Sequence, residues 1–265
     1  MCEVCDIRNN SEEPPVNTFN EGDIEKVILG IYAGIITTRN LDYNTYIKTA
    51  KKLMEGVFKG YSKTIESVLY KGNDWYMLEA LRKNIYIFSA AKTYQQTREV
   101  SALLPDNVGN FANFKKQAKS ILFDYNENYL RTEYNSAIAQ SYTASQWQQI
   151  IKDKEYLPML TYHTAGDGRV RPAHEVLNNI SRRVDDKFWD IYMPPNGWNC
   201  RCTVLQSSDA TQTNLKGFKA PDDVPDIFKF NAGKEKIIFS PKHPYFKVDK
   251  KDVSFAKQNF DLHIP

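Results

Sequence analysis

The feature that most constrains this fold is a helical spacing of apolar residues that recurs between residues 23 and 151. Four segments carry this spacing: residues 23–35, 46–57, 74–104 and 114–151. In each of them apolar side chains recur every three or four positions, which places them on one face of an α-helix. The sequence therefore predicts a tyrosine-rich helical domain over residues 23–155, with its apolar stripes forming the core.

The pattern changes at residue 156 to short apolar pieces separated by Gly, Pro, Asn and Asp. Such pieces are typical of short strands and loops. One helix is expected to begin at Pro172, because proline suits the first helical turn, and to continue through AHEVLNNIS. Residues 156–240 are therefore predicted to form a small, loop-rich module with short strands, and the chain as a whole is predicted to be α+β.

The two ends of the chain lack a strong periodic pattern. Residues 1–22 are polar and contain a proline pair, so they are predicted to form an N-terminal arm. Residues 241–265 show little helical or strand periodicity and are predicted to form an irregular tail that lies over another surface or a neighbour. No segment approaches the ~20 apolar residues that cross a bilayer, and no signal peptide opens the sequence. We therefore expect no membrane span and synthesis in the cytoplasm.

Composition excludes some classes of protein. The net charge of +3 on 265 residues is too small to indicate a nucleic-acid-binding surface by itself. Four cysteines in a chain of this length are too few for a disulfide scaffold. Cys2 and Cys5 form a CxxC, but no strand precedes it, so it is a weak redox motif.

The spacing of cysteine and histidine residues is compatible with a zinc site. Thiolates and imidazole are the ligands that zinc prefers, which makes His174, Cys200 and Cys202 candidate ligands. The fourth ligand would come from His163, or from Cys2 and Cys5 folding back. Against zinc, a CxC on an extended strand directs its side chains to opposite faces, and buried free cysteines commonly serve as small hydrophobic residues. A structural zinc ion and a metal-free core both remain open at this point.

Known catalytic patterns match poorly. The stretch beginning at His174 and Glu175 departs from the zincin motif HExxH, because Asn178 replaces the second histidine. A zinc deaminase needs H-x-E and P-C-x-x-C, and neither half is present. Phosphate-binding loops and nucleophile elbows are also missing from the sequence. We predict that the protein is not an enzyme; the alternative is a metal-dependent hydrolase or nuclease using His174, Glu175 or Asp167 with the two cysteines.

Arginines cluster in the same region. They are Arg169, Arg171, Arg182, Arg183 and Arg201. Because a guanidinium group matches phosphate oxygens with paired donors, the first four are candidate nucleic-acid ligands, as in a DNA-binding accessory protein. The other interpretation is that the arginines pair with Asp167, Asp185 and Asp186 and fix the loops.

Three stretches in this order resemble a known family: DGRVRPAH at 167–174, PPNGWNCRC at 194–202 and DIFKFNAG at 226–233. They are similar to the signature of the phage Mu F-like minor head proteins, also called head morphogenesis proteins. The signature residues, predicted to be a fold framework, are Asp167, Arg169, Arg171, His174, Pro195, Trp198, Asn199, Cys200, Arg201, Cys202, Asn231 and Gly233. The resemblance extends over about residues 24–240. It departs at Gly197 and Trp198, where some members have a histidine that could bind metal.

The resemblance implies a minor capsid protein of a phage or prophage. Such a protein would lie inside the phage head, next to the portal protein or the major capsid protein, and would be assembled in the host cytoplasm. It would act in head assembly and in packaging or delivery of the genome, with the packaged double-stranded DNA as a further partner.

Overall fold

The computed structural model describes residues 18–221 and 224–260. Cys2, Cys5 and most of the predicted N-terminal arm lie outside the described residues. The longer α-helices are Glu21–Tyr32 (α1), Tyr43–Tyr61 (α2), Asn73–Ser101 (α3), Phe111–Phe123 (α4) and Leu130–Asp153 (α5). Short helices follow at Pro172–Glu175 (α6), Phe188–Ile191 (α7) and Ala232–Glu235 (α8), and the last helix is Val253–Phe260 (α9). Each of the four predicted helical segments is helical in the structure.

Local signals explain where some helices begin. Asn20 caps α1 by accepting a hydrogen bond from the Asp23 amide at 2.9 Å, and Asp23 accepts one from the Asn20 amide at 3.0 Å. This reciprocal capping box satisfies two of the amides that a helix N-terminus leaves without partners. The predicted segment 114–151 is not one uniform helix, because a π-helical segment, Asp124–Tyr129, separates α4 from α5.

The strands form one small antiparallel sheet. They are Met159–His163 (β1), Ser181–Arg183 (β2) and Thr203–Ser207 (β3), in the order β2-β1-β3. With the helices described above, this sheet confirms the predicted α+β class.

The helix expected to run from Pro172 through AHEVLNNIS is much shorter than predicted. It ends at Glu175. The Asn179 amide donates to the Tyr162 carbonyl at 2.8 Å, and the Tyr162 amide donates to the Ile180 carbonyl at 2.9 Å. Asn179 also has a positive φ of 61°. Hydrogen bonding to β1 therefore takes this segment out of the helix, since an isolated helix of this length has little stability of its own.

The described residues divide into two compact units that alternate along the chain. The first unit contains residues 56–81 and 135–242, and the second contains residues 18–55, 82–134 and 243–260. The core of the first unit includes Leu160, Tyr162, Leu177, Trp189 and Val204. One core cluster of the second unit contains Val27, Ile28, Ile31, Phe114 and Leu122. The linear division into domains at residues 22, 155 and 240 stays a prediction.

The C-terminal segment is more regular than expected. It contains the 3-10 helices Pro244–Phe246 and Lys250–Asp252 before α9. Within the second unit, the Gln95 amide donates to the carbonyls of Tyr245 at 2.8 Å and Lys247 at 2.6 Å. These bonds anchor the segment to α3, which explains why it is ordered although its sequence lacks periodicity. Among the described helices, none is both long and apolar enough to cross a bilayer.

Candidate functional site

His174, Cys200 and Cys202 converge inside the first unit. The His174 Nδ1 atom lies 3.6 Å from each of the two sulfur atoms. All three side chains are buried, and their potential ligand atoms lie within 4.8 Å of one another. We call these three residues the His-Cys-Cys cluster.

The backbone explains why both cysteines reach the same histidine. Cys200 and Cys202 precede β3, so they do not lie on the extended strand that the sequence suggested. Asn199 has a positive φ of 54°, and the Cys200 amide donates to the Gly197 carbonyl at 3.2 Å. This turn allows the two sulfur atoms to face one side. The argument against zinc from a CxC on an extended strand therefore does not apply here.

Electrostatics inside the cluster favours an ionised thiol. Hydrogen bonding from Cys202 and the neighbouring His174 imidazole lower the pKa of the Cys200 thiol well below its usual range, although burial opposes this. Burial raises the pKa of the neighbouring Tyr162 hydroxyl well above its ordinary value. Tyr162 is therefore a neutral hydroxyl that can donate a hydrogen bond.

The loop before the cysteines is held by polar contacts. The Thr143 hydroxyl donates to the Pro194 carbonyl at 2.7 Å, and the Tyr162 hydroxyl donates to Asn196 Oδ1 at 3.0 Å. His174 Nε2 lies 3.3 Å from the Asn196 carbonyl oxygen. Sequence reasoning missed Tyr162 and Asn196. The sequence indicated them only by position: Tyr162 precedes the candidate ligand His163, and Asn196 lies within the PPNGW stretch.

Asp167 and Arg201 form a two-pronged ion pair beside the cluster. Arg201 Nη1 and Nη2 lie 2.5 Å and 2.6 Å from the two Asp167 carboxylate oxygens. Hydrogen bonding from Arg201 lowers the pKa of Asp167 well below its usual range. Arg169 lies 3.6 Å from the same carboxylate, and Arg171 donates to the Trp198 carbonyl at 2.6 Å. This geometry agrees with a role of the signature arginines in fixing the loops.

The remaining arginines lie on β2. Arg182 donates to Asp186 at 2.5 Å and 2.8 Å and to the Thr213 carbonyl at 2.8 Å. Arg183 and Asp185 are exposed. The suggested nucleic-acid role of Arg169, Arg171, Arg182 and Arg183 stays a prediction.

Other sequence candidates lie outside the His-Cys-Cys cluster. His163 is half-buried on β1, where it pairs with Thr203, and Glu175 is exposed at the end of α6. In the part of the chain that the structure describes, neither joins the three converging side chains. Trp198 is half-buried and packs edge-on against Phe228, with ring centroids 4.9 Å apart.

Asn231 and Gly233 are internal to the first unit. Asn231 Oδ1 caps α8 by accepting from the amides of Gly233 at 2.9 Å and Lys234 at 3.1 Å, and Asn231 Nδ2 donates to the Trp189 carbonyl at 3.1 Å. A Cβ atom on Gly233 would lie only 2.2 Å from Trp147 Cβ. The FNAG stretch therefore combines a helix cap with a close approach that only glycine permits.

We expect Gly233→Ala to destabilise the protein by about 1–3 kcal/mol, because the added methyl forces Trp147 to move in a packed core. Urea unfolding followed by tryptophan fluorescence measures the change. Gly168→Ala is the matched control, since a Cβ atom there meets nothing within 4 Å. Equal stability of the two variants would contradict the predicted steric role of Gly233.

Comparison with known proteins identifies the region that contains the cluster. A family model described as phage Mu protein F like protein matches residues 98–205, which include the first two signature stretches but not the third. Over this region the chain is similar to phage Mu F-like proteins, which confirms the resemblance found in the sequence.

Two curated proteins show the same relationship. Capsid assembly protein F of Escherichia phage Mu is 40% identical over 86 residues, which are 32% of this chain and 20% of that protein. The Mu-like prophage FluMu F protein of Haemophilus influenzae is 33% identical over 80 residues, 30% of this chain and 19% of that protein. The chain thus matches about a fifth of the length of these relatives. No solved structure matches the chain.

Proposed function

We propose that this protein acts in the assembly of a phage head. The observation that carries the proposal is the Mu F-like match over residues 98–205, together with 40% identity to a relative named for capsid assembly. The site geometry supports it, because several signature residues contact one another or the core of the first unit. Arg201 pairs with Asp167, Asn231 caps α8, and Gly233 packs on Trp147.

The proposed partner is the portal protein or the major capsid protein of the phage head, with the chain located inside the head. An exposed aromatic surface in the first unit supports such a contact. Tyr70 is 67% exposed, and Leu69 and Tyr76 are also exposed. Trp75 packs edge-on against both Tyr70 and Tyr76, with centroids 5.1 Å apart in each pair. Tyrosine and tryptophan are enriched where proteins bind other proteins.

Co-expression with the portal protein or the major capsid protein of the same phage tests this proposal. We expect an affinity-tagged chain to retain one of them through size-exclusion chromatography. The double variant Tyr70→Ser/Tyr76→Ser is expected to lose most of that binding, because it removes the exposed rings. Tyr156→Ser is the control, since Tyr156 is 80% exposed and is outside the aromatic surface. Failure of the wild-type chain to retain either partner would contradict the proposal.

We also expect no turnover of nucleic acids or peptides by the purified chain. Asp167 is held by Arg201, and Glu175 is exposed and outside the His-Cys-Cys cluster. Nuclease and protease assays with added zinc, magnesium or manganese check this expectation, with Glu175→Gln as the comparison. Activity in the wild type that Glu175→Gln abolishes would favour a hydrolase instead.

Contact with packaged DNA is a further part of the proposed role, and Arg169 and the exposed Arg183 are the residues to test. If phosphate contacts dominate, the affinity for double-stranded DNA should fall steeply as salt is added. Binding that is insensitive to salt, or no binding, would remove DNA from the list of partners.

A further inference from the structure

We propose that His174, Cys200 and Cys202 bind a zinc ion in the first unit. Zinc forms bonds of about 2.0–2.1 Å to imidazole nitrogen and about 2.3 Å to thiolate sulfur, in tetrahedral geometry. At a tetrahedral angle these bonds place the nitrogen and each sulfur about 3.6 Å apart. The distances from His174 Nδ1 to Cys200 Sγ and Cys202 Sγ are both 3.6 Å.

The orientation of the histidine also fits a metal ligand. His174 Nε2 lies 3.3 Å from the Asn196 carbonyl oxygen, which can only accept a hydrogen bond. Donation from Nε2 leaves the Nδ1 lone pair directed toward both sulfur atoms. Metal-binding histidines commonly donate their other ring N–H to a backbone carbonyl in this way. Nδ1 has a single lone pair, whereas a cation can bind that lone pair and both sulfur atoms together.

The charge around the cluster is compatible with a buried dication. Two thiolates would balance the charge of Zn²⁺, and the nearby Arg201 guanidinium is already paired with Asp167. A balanced group of this kind avoids the penalty for burying an unpaired charge.

A small cavity provides room for the fourth ligand. It has a volume of about 20 Å³, close to the space that one water molecule needs, and it is lined by the three cluster residues and by Arg169, Arg171 and Asn199 among others. We therefore assign the fourth position to a solvent molecule rather than to His163. The site would hold zinc through three protein ligands on two separate segments, α6 and the turn before β3.

Metal analysis of the full chain, purified under reducing conditions from cells supplied with zinc, tests the assignment directly. We expect about one zinc ion per chain by inductively coupled plasma mass spectrometry. After removal of zinc by a chelator, added Co²⁺ should give a sulfur-to-cobalt charge-transfer band and intense visible bands of a four-coordinate site. Zinc removal should also lower the melting temperature, because binding to the folded state alone stabilises it.

Matched variants locate the metal. Cys202→Ser and His174→Ala are expected to lose the zinc and the charge-transfer band, whereas His163→Gln and the double variant Cys2→Ser/Cys5→Ser are expected to keep both. Retention of zinc by Cys202→Ser, or its loss from the Cys2/Cys5 variant, would overturn the assignment. A wild-type chain that binds neither zinc nor cobalt would also overturn it. That wild-type result decides the question even if the cluster variants fail to fold.

Discussion

Replacing Lys92 by methionine is expected to destabilise the second unit by about 3–5 kcal/mol, because it leaves a buried carboxylate without its counter-charge. The Lys92 side chain is 0% exposed, and its Nζ lies 2.5 Å from Oε2 of Glu133, whose side chain is 3% exposed. Burial lowers the pKa of Lys92, while Glu133 opposes that shift. After the substitution only the Tyr245 hydroxyl, which donates to Glu133 Oε1 at 2.9 Å, would remain as a described partner of the carboxylate.

Urea unfolding monitored by near-ultraviolet circular dichroism measures this effect. The double variant Lys92→Met/Glu133→Leu should recover most of the lost stability, since it removes both charges from the interior. Lys119→Met is the surface control, because Lys119 pairs with the exposed Glu21 and such pairs contribute little. If Lys92→Met were no more destabilising than Lys119→Met, the buried pair would not have the assigned role.

Acid is expected to weaken the second unit through His243, by about 3 kcal/mol in the limit of full protonation. Burial, assisted by the charge of Lys92, lowers the pKa of His243 from 6.5 to about 4. The ring also packs edge-on against Phe88, with centroids 5.0 Å apart, and its Nδ1 accepts a hydrogen bond from the Tyr245 amide at 3.2 Å. The folded state therefore holds a neutral imidazole.

The sign of this dependence follows from proton binding. Below about pH 6.5 the unfolded chain protonates His243 and the folded chain does not, so the stabilisation is complete above about pH 6.5 and is lost progressively toward about pH 4. Melting temperatures of the wild type and His243→Gln across this range measure it. The difference in melting temperature between the two proteins separates the contribution of His243 from that of the carboxylates, which titrate in both. A parallel decline in both proteins would show that His243 does not contribute.

The sequence predicted the helical segments because their apolar spacing is long and repeated, and long periodic patterns override local exceptions. It failed at residues 172–181, where four residues form α6, residues 176–178 form turns and residues 179–181 bond to β1. The competing hydrogen bonds come from Tyr162, at a separation in sequence that no local pattern encodes. The helix at Val253–Phe260 was also missed, since its segment is ordered by distant partners such as Gln95.

For the candidate site, too, the sequence indicated the residues but not the backbone conformation that brings them together. Residue types and spacing were sufficient to select His174, Cys200 and Cys202, and the structure places these three side chains together. On an extended strand the CxC spacing would direct the two cysteine side chains to opposite faces. The positive φ of Asn199 and the turn between Gly197 and Cys200 reverse that argument. Asparagine adopts a positive φ more readily than most residues. Asn199 directly before Cys200 was therefore a weak indication in the sequence that the backbone turns at this point.

The π-helical segment Asp124–Tyr129 has a consequence for how this chain tolerates insertions and deletions. Buried positions around it recur at intervals of four residues: Phe114, Ala118, Leu122, Asn126 and Leu130. A regular α-helix turns by about 100° per residue, so each such interval advances the buried stripe by about 40°. The wider π turn absorbs this drift and keeps the stripe in phase. Deleting one residue within residues 124–129 is expected to restore regular winding with little net rotation of α5, because the π turn accommodates one residue more than an α turn does. The segment thus accommodates one extra residue, and related sequences that are one residue shorter here can bury the same face of α5.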